Sequence, residues 1–163
     1  YDPEKDIWIK KTNMPRGRQG TSASVVDGKI YLIGGPSVDE YDLAKDKWTW
    51  KANMAGLRGH LSSSVVNGKI YIMGGMFLDN PLATVEEYDP IADKLTIKAN
   101  MPTARGYLSA CAVSNKIYVI GGAINGGILA TVEEYDLGMP DQSIDFKGKL
   151  PTTWGDMRIA SEK

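Results

Sequence analysis

The sequence predicts an all-β fold made of repeated, four-stranded antiparallel sheets. Three observations carry this. The seven-residue word ATVEEYD occurs at residues 83–89 and again at 130–136, 47 residues on. Three near-copies of one segment, VVDGKIYLIGG, VVNGKIYIMGG and AVSNKIYVIGG, each end in a glycine pair, Gly34-Gly35, Gly74-Gly75 and Gly121-Gly122. No window shows helical periodicity; short apolar runs are bounded by turn residues instead.

Each unit reads as strands A to D. Strand A is opened by Arg18, Arg58 or Arg105, each 16 residues before the first glycine of its pair. It continues through small residues, as in TSASVV and LSSSVV. Strands A and B are joined by Asp27-Gly28, Asn67-Gly68 and Ser114-Asn115. The first two are strong hairpin signals, because a type I′ turn needs positive φ at both central residues. Strand B is the apolar KIY segment. Strand C ends in Tyr41-Asp42, Tyr88-Asp89 or Tyr135-Asp136. Strand D alternates bulky residues: Trp48 and Trp50, Leu95 and Ile97, and Ile144 and Phe146. Full units are expected at 18–51, 58–98 and 105–147. Residues 1–13 supply strands C and D alone, and 154–162 begin a further strand A with Trp154 in the arginine's place.

Composition limits the chemistry. Apolar residues make up 42%, enough for a core, and the net charge of −1 exerts no global pull on nucleic acid or a membrane surface. The lone Cys111 makes no internal disulfide, and with a single histidine the chain has no zinc or copper ligand set. No metal, cofactor, nucleic acid or membrane partner is therefore expected. Nothing in the sequence points to a compartment.

The glycine pair, the Tyr and Trp spaced seven apart, and the arginine opening strand A resemble the Kelch repeat. The resemblance spans nearly the whole chain; Leu95 in the Trp slot and Trp154 in the Arg slot depart from it. It implies a β-propeller, here a partial ring whose four-stranded blades stack on one another. A partial ring implies association with further blades or with a second copy of the chain.

The meander order gathers the D–A and B–C loops on one face. That face collects Arg18, Arg58, Arg105, His60 and Tyr107. Two positions after each arginine stand Gly20, His60, Tyr107 and Asp156, expected to ring the axis. The arginines have two roles open to them: recognition of a carboxylate or phosphate, or bonds to carbonyls and acids of the blades. His60 is a ligand contact or a plain surface residue. Met76 and Phe77 form a partner-binding lip or a tucked loop, and Asn125 marks the next variable loop. The pairs Glu86-Glu87 and Glu133-Glu134 are expected to point to opposite faces of strand C, solvated and not acting together as acid and base.

No catalytic constellation is assembled in the sequence. The expected function is a non-catalytic binding module presenting loops to a protein, peptide or acidic glycan. The alternative the resemblance implies is part of a carbohydrate-active enzyme, such as a sialic acid mutarotase, completed by blades outside this chain.

Overall fold

The computed structural model describes residues 1–138, and every element among them is a strand. The expected strand D residues Ile144 and Phe146, Trp154, Asp156 and the start of a further unit lie outside the described residues.

The second unit gives the plainest sheet. Strands β4 (Ser62–Val66), β5 (Lys69–Met73), β8 (Val85–Asp89) and β9 (Lys94–Ile97) pair antiparallel in that order. Between β5 and β8 projects a small hairpin of β6 (Met76–Phe77) and β7 (Asn80–Pro81). The first unit has β1 (Ser22–Val26), β2 (Lys29–Asp42) and β3 (Lys47–Arg58). Although β2 is continuous, it doubles back on itself. The Tyr31 hydroxyl donates to Glu40 at 3.0 Å across nine positions, which an extended chain would hold roughly 30 Å apart. Strands B and C are therefore both present within it. The third unit has β10 (Ser109–Val113), β11 (Lys116–Ile120) and β14 (Val132–Asp136), with the hairpin of β12 (Ala123–Ile124) and β13 (Gly127–Ile128) above them.

The turns follow their residues. Asp27-Gly28 and Asn67-Gly68 have positive φ at both positions, as type I′ requires. In the third unit only Ser114 has positive φ (55°), the pattern of a type II′ turn. The glycine pair is needed where two sheets meet. Gly75 (φ 108°) donates its N–H to the Arg105 carbonyl at 2.9 Å. A Cβ there would stand 2.7 Å from the Gly59 carbonyl oxygen. Gly75→Ala is expected to cost about 2–3 kcal/mol from the left-handed backbone and the clash together, measured by urea denaturation.

Stacking buries two apolar layers. Ile33, Val38, Leu61, Ile70, Ile72 and Tyr88 fill the space between the first and second sheets. Val66, Tyr71, Met73, Val85, Ile117 and Val119 fill that between the second and third. Strand β4 lies between β1 and β10. Serines stitch them: Ser22 and Ser24 each lie 2.8 Å from the Ser63 hydroxyl, and Ser62 Oγ accepts from the Ala110 N–H at 3.0 Å. Small residues on strand A let backbones approach closely enough for these bonds.

The outer strands pack less. Trp48 is half-buried, tilted against Tyr41 at 4.9 Å, and its indole N–H donates to the Thr12 carbonyl at 3.1 Å. Leu95 holds the same register opposite Tyr88. Trp48→Ala is expected to cost about 2 kcal/mol, less than a fully buried aromatic, again read from the denaturation midpoint. Residues 1–13 carry a single bridge, Asp2 to Ile7, and leave Trp8 exposed. Their expected C and D strands do not extend, because no strand B lies beside them to complete the ladder.

Candidate functional site

The repeated word resolves into one bonding pattern per blade. In the second unit Thr84 accepts from Arg58 through its hydroxyl. Val85 enters the core. Glu86 faces Arg58, with Nη2 3.3 Å from Oε1. Glu87 faces the other way, accepting from Tyr71 at 2.6 Å and lying 3.1 Å from Lys69 and 3.0 Å from Lys98. The Tyr88 hydroxyl donates to Asp93 at 2.7 Å. Asp89 caps the C–D turn by accepting from the Ile91 and Ala92 N–H groups at 2.9 and 3.0 Å.

The other blades repeat it. Arg18 bonds the Gly34 carbonyl, the Ser37 hydroxyl and Asp39. Arg105 bonds the Gly121 and Thr131 carbonyls and Glu133. The three arginines thus stand behind the loop surface, buried against carboxylates of their own sheets. Their recurrence in every blade is explained by that packing. The glutamate pairs do point to opposite faces, but the pair of the second blade is not solvated: Glu86 is 2% and Glu87 7% exposed. Burial is possible because each meets a cation across the sheet. In the third blade Glu133 is partly buried, and Glu134 is exposed as expected.

Burial pushes the Glu87 carboxyl up, but hydrogen bonds from Tyr71, Lys98 and Lys69 outweigh it and hold it below the usual glutamate range. Glu40, with Lys29 and Tyr31, is lowered for the same reasons. A folded-state pKa below the unfolded value contributes stability above the unfolded pKa, and that stability is lost as pH falls through the folded one. Denaturation midpoints are therefore expected to fall as pH drops below about 4.5. Replacing Glu87 with Gln should flatten that dependence.

His60 and Tyr107 come together. Their rings stack at 4.1 Å with planes 25° apart. The His60 N–H donates to the Gly20 carbonyl at 2.6 Å, and the Tyr107 N–H to the His60 carbonyl at 2.8 Å. All three residues have positive φ (63°, 54° and 54°), so the main chain steps from blade to blade in one repeated left-handed conformation. A side chain at position 20 would collide with His60, which accounts for glycine there. Tyr107 is 61% exposed.

Beside this stack opens a cleft of about 240 Å³, lined by Gln19, Leu57, His60, Met76, Phe77 and Leu78 among others. Met76 and Phe77 border it, and Phe77 and Leu78 are exposed. Asn125 sits exposed at the tip of the β12–β13 hairpin, and β12 neighbours β7. His60, Met76 and Phe77 thus share one cleft, Tyr107 adjoins it through the stack, and Asn125 marks the next hairpin.

Sequence reasoning missed the Thr84 and Lys69–Tyr71–Glu87 contacts. A signal existed: the KIY of strand B lies antiparallel to the EEYD of strand C, with Tyr71 opposite Glu87.

The comparisons agree with this geometry. Among curated proteins none matches the chain. A solved structure described as "Structure of YjhT" superimposes with a TM-score of 0.61 at 22% identity, covering 70% of this chain and 36% of that one. The chain thus spans about a third of that protein's length and shares its fold. The Kelch motif matches residues 17–55, 57–102 and 104–139. With the motif recurring across most of its length, this chain belongs to the Kelch-repeat family and is built from β-propeller blades.

Proposed function

We propose that the chain is a non-catalytic interaction module that binds a protein or peptide on the face of the D–A and B–C loops. The observation that supports this is the His60–Tyr107 stack beside the Met76–Phe77–Leu78 cleft. Its main chain is fixed by the ladder from Gly20, and its aromatic and apolar groups are presented to solvent. Rigid aromatic anchors over a cleft are the features that dominate binding at interfaces. Peptides selected by display against the chain test it. Tyr107→Ala and Phe77→Ser should weaken the selected peptides at least about tenfold. A substitution at exposed Leu43, on the opposite face, should leave them unchanged. Peptides sensitive to Leu43 and indifferent to Tyr107 would end this reading.

The same reading includes association with a further blade or a second copy. On the third sheet Val113, Ile120 and Val132 are 57, 45 and 59% exposed, whereas Val66, Met73 and Val85, at the same positions of the second sheet, are 5, 2 and 2% exposed beneath their neighbour. An apolar face built for stacking favours another sheet upon it. Sedimentation should show self-association that Ile120→Lys with Val132→Lys abolishes.

A further inference from the structure

The second blade differs from its neighbours at its arginine. Arg105 uses all three of its nitrogens, and Arg18 lacks a partner only at Nε. Among the described residues, Arg58 leaves both Nε and Nη2 without a hydrogen bond, and Glu86 leaves Oε2 without one. Nη2 lies near Glu86 Oε1, but the two are not aligned to bond. Both side chains are almost wholly buried, at 2% and 3% exposure.

Sequence explains the difference. The connectors into the first and third blades read Met14-Pro15-Arg16-Gly17 and Met101-Pro102-Thr103-Ala104. The one into the second reads Met54-Ala55-Gly56-Leu57. Without the proline, this segment runs on as part of β3 up to Arg58. In the third blade the Thr103 carbonyl receives Arg105 Nε at 3.4 Å; Arg58 Nε has no such acceptor. Between this connector and the β6–β7 hairpin lies a cleft of about 270 Å³. Its walls are Ala55, Gly56, Leu57, Phe77 and Leu82, and Thr84, Arg58 and Glu86 line it too. It lies on the loop face, and Arg58 also borders the cleft beside His60.

We propose that this cleft is a recognition pocket for a primary carboxamide on an apolar stem, the chemistry of a glutamine or asparagine side chain in a partner peptide. A guanidinium can only donate and a carboxylate can only accept. A group satisfying both must carry an acceptor and a donor side by side. The pair is neutral as a whole, so a charged head group would leave one of the two unbalanced. A carboxamide offers its oxygen to the guanidinium and its N–H to the carboxylate, and both are atoms that are costly to leave unpaired. The apolar walls take the stem. The inference rests on the loop face being the binding face and names the chemistry of the partner's anchor.

The test uses the whole chain, labelled with nitrogen-15, with the Arg58 Nε–H signal as reporter and benzamide, benzoate and methyl glucoside as probes. Benzamide should shift that signal saturably, binding at least about fivefold more tightly than the other two. Phe77→Ser, at an exposed position, should preserve the spectrum and weaken benzamide about fivefold. Glu86→Gln removes the internal counter-charge and should reverse the preference in favour of benzoate. The proposal is overturned if benzamide leaves Arg58 unmoved, if benzoate or the glycoside binds the wild type more tightly, or if Phe77→Ser changes nothing. Benzamide at Arg58 with no peptide on the loop face would uphold the pocket and remove only the wider reading. Loop-face peptides with no benzamide response would do the reverse.

Discussion

Arg105→Ala is expected to lose about 3–5 kcal/mol of stability, because it strands a carboxylate and three carbonyls, those of Thr103, Gly121 and Thr131, at once. The side chain is 0% exposed. It donates to the Gly121 carbonyl at 2.9 Å, to the Thr131 carbonyl at 3.4 Å and to Glu133. Glu133 already holds one buried oxygen without a partner. Removing the cation leaves the carboxylate facing apolar neighbours with no compensating charge. The same physics predicts recovery. Replacing both partners, Arg105→Met with Glu133→Leu, should regain most of the loss, since matched apolar residues carry no desolvation penalty. Urea denaturation of the two single variants and the double variant supplies the cycle. Additive losses would show that the pair does not act as a unit.

Tyr88→Ala is the second large effect, at about 3–5 kcal/mol. The residue is 0% exposed in the core between the first two sheets. Its ring lies 5.8 Å from that of Tyr31, tilted by 57°. Its hydroxyl donates to Asp93, which has positive φ (50°) in the C–D turn. Deletion of the ring therefore empties the layer and frees a strained turn together. Tyr88→Phe separates the two contributions: it keeps the ring and should cost only about 1 kcal/mol. A Phe variant as damaged as the Ala variant would mean that the hydroxyl, not the packing, dominates.

The strand order was legible because each strand announces itself by period and turn chemistry. Asp27-Gly28 and Asn67-Gly68 could hardly be anything but hairpins, and their φ values agree. The stacking of His60 on Tyr107 was legible in kind, since equal offsets from Arg58 and Arg105 place them at equal heights in successive blades. What the arginines bond to was not. Bonds to carbonyls and acids of the blades were one of the two roles open to them, but which acids they meet is set by the register that brings Glu86 and Glu133 to Arg58 and Arg105. The burial of Glu87 was hidden likewise, because a lone acidic strand residue looks solvated until Lys69, Tyr71 and Lys98 close around it. The weak first hairpin at residues 1–13 shows the converse: its Tyr, Asp and Trp recur in step, but without a neighbouring strand they make one bridge.

The way each arginine is held bears on how such a chain can lengthen in evolution. The main chain of Arg105 is fixed by the sheet before it, through Leu82 and Gly75. Its side chain is neutralised by the sheet after it, through Glu133. A stretch of gene copied from one arginine codon to the next therefore carries the cation, its hydroxyl or carbonyl acceptors and its acid together. The inserted copy brings no orphan charge, and it offers the following arginine the same Gly and Leu anchors. A copied stretch whose ends fall at different points of the unit, one before the EEYD word and one after it, would add an arginine without its acid or an acid without its arginine, and leave a buried charge unpaired. What can be repeated without stranding a buried charge is thus the whole stretch from one arginine to the next, whichever point of the unit the copy starts from.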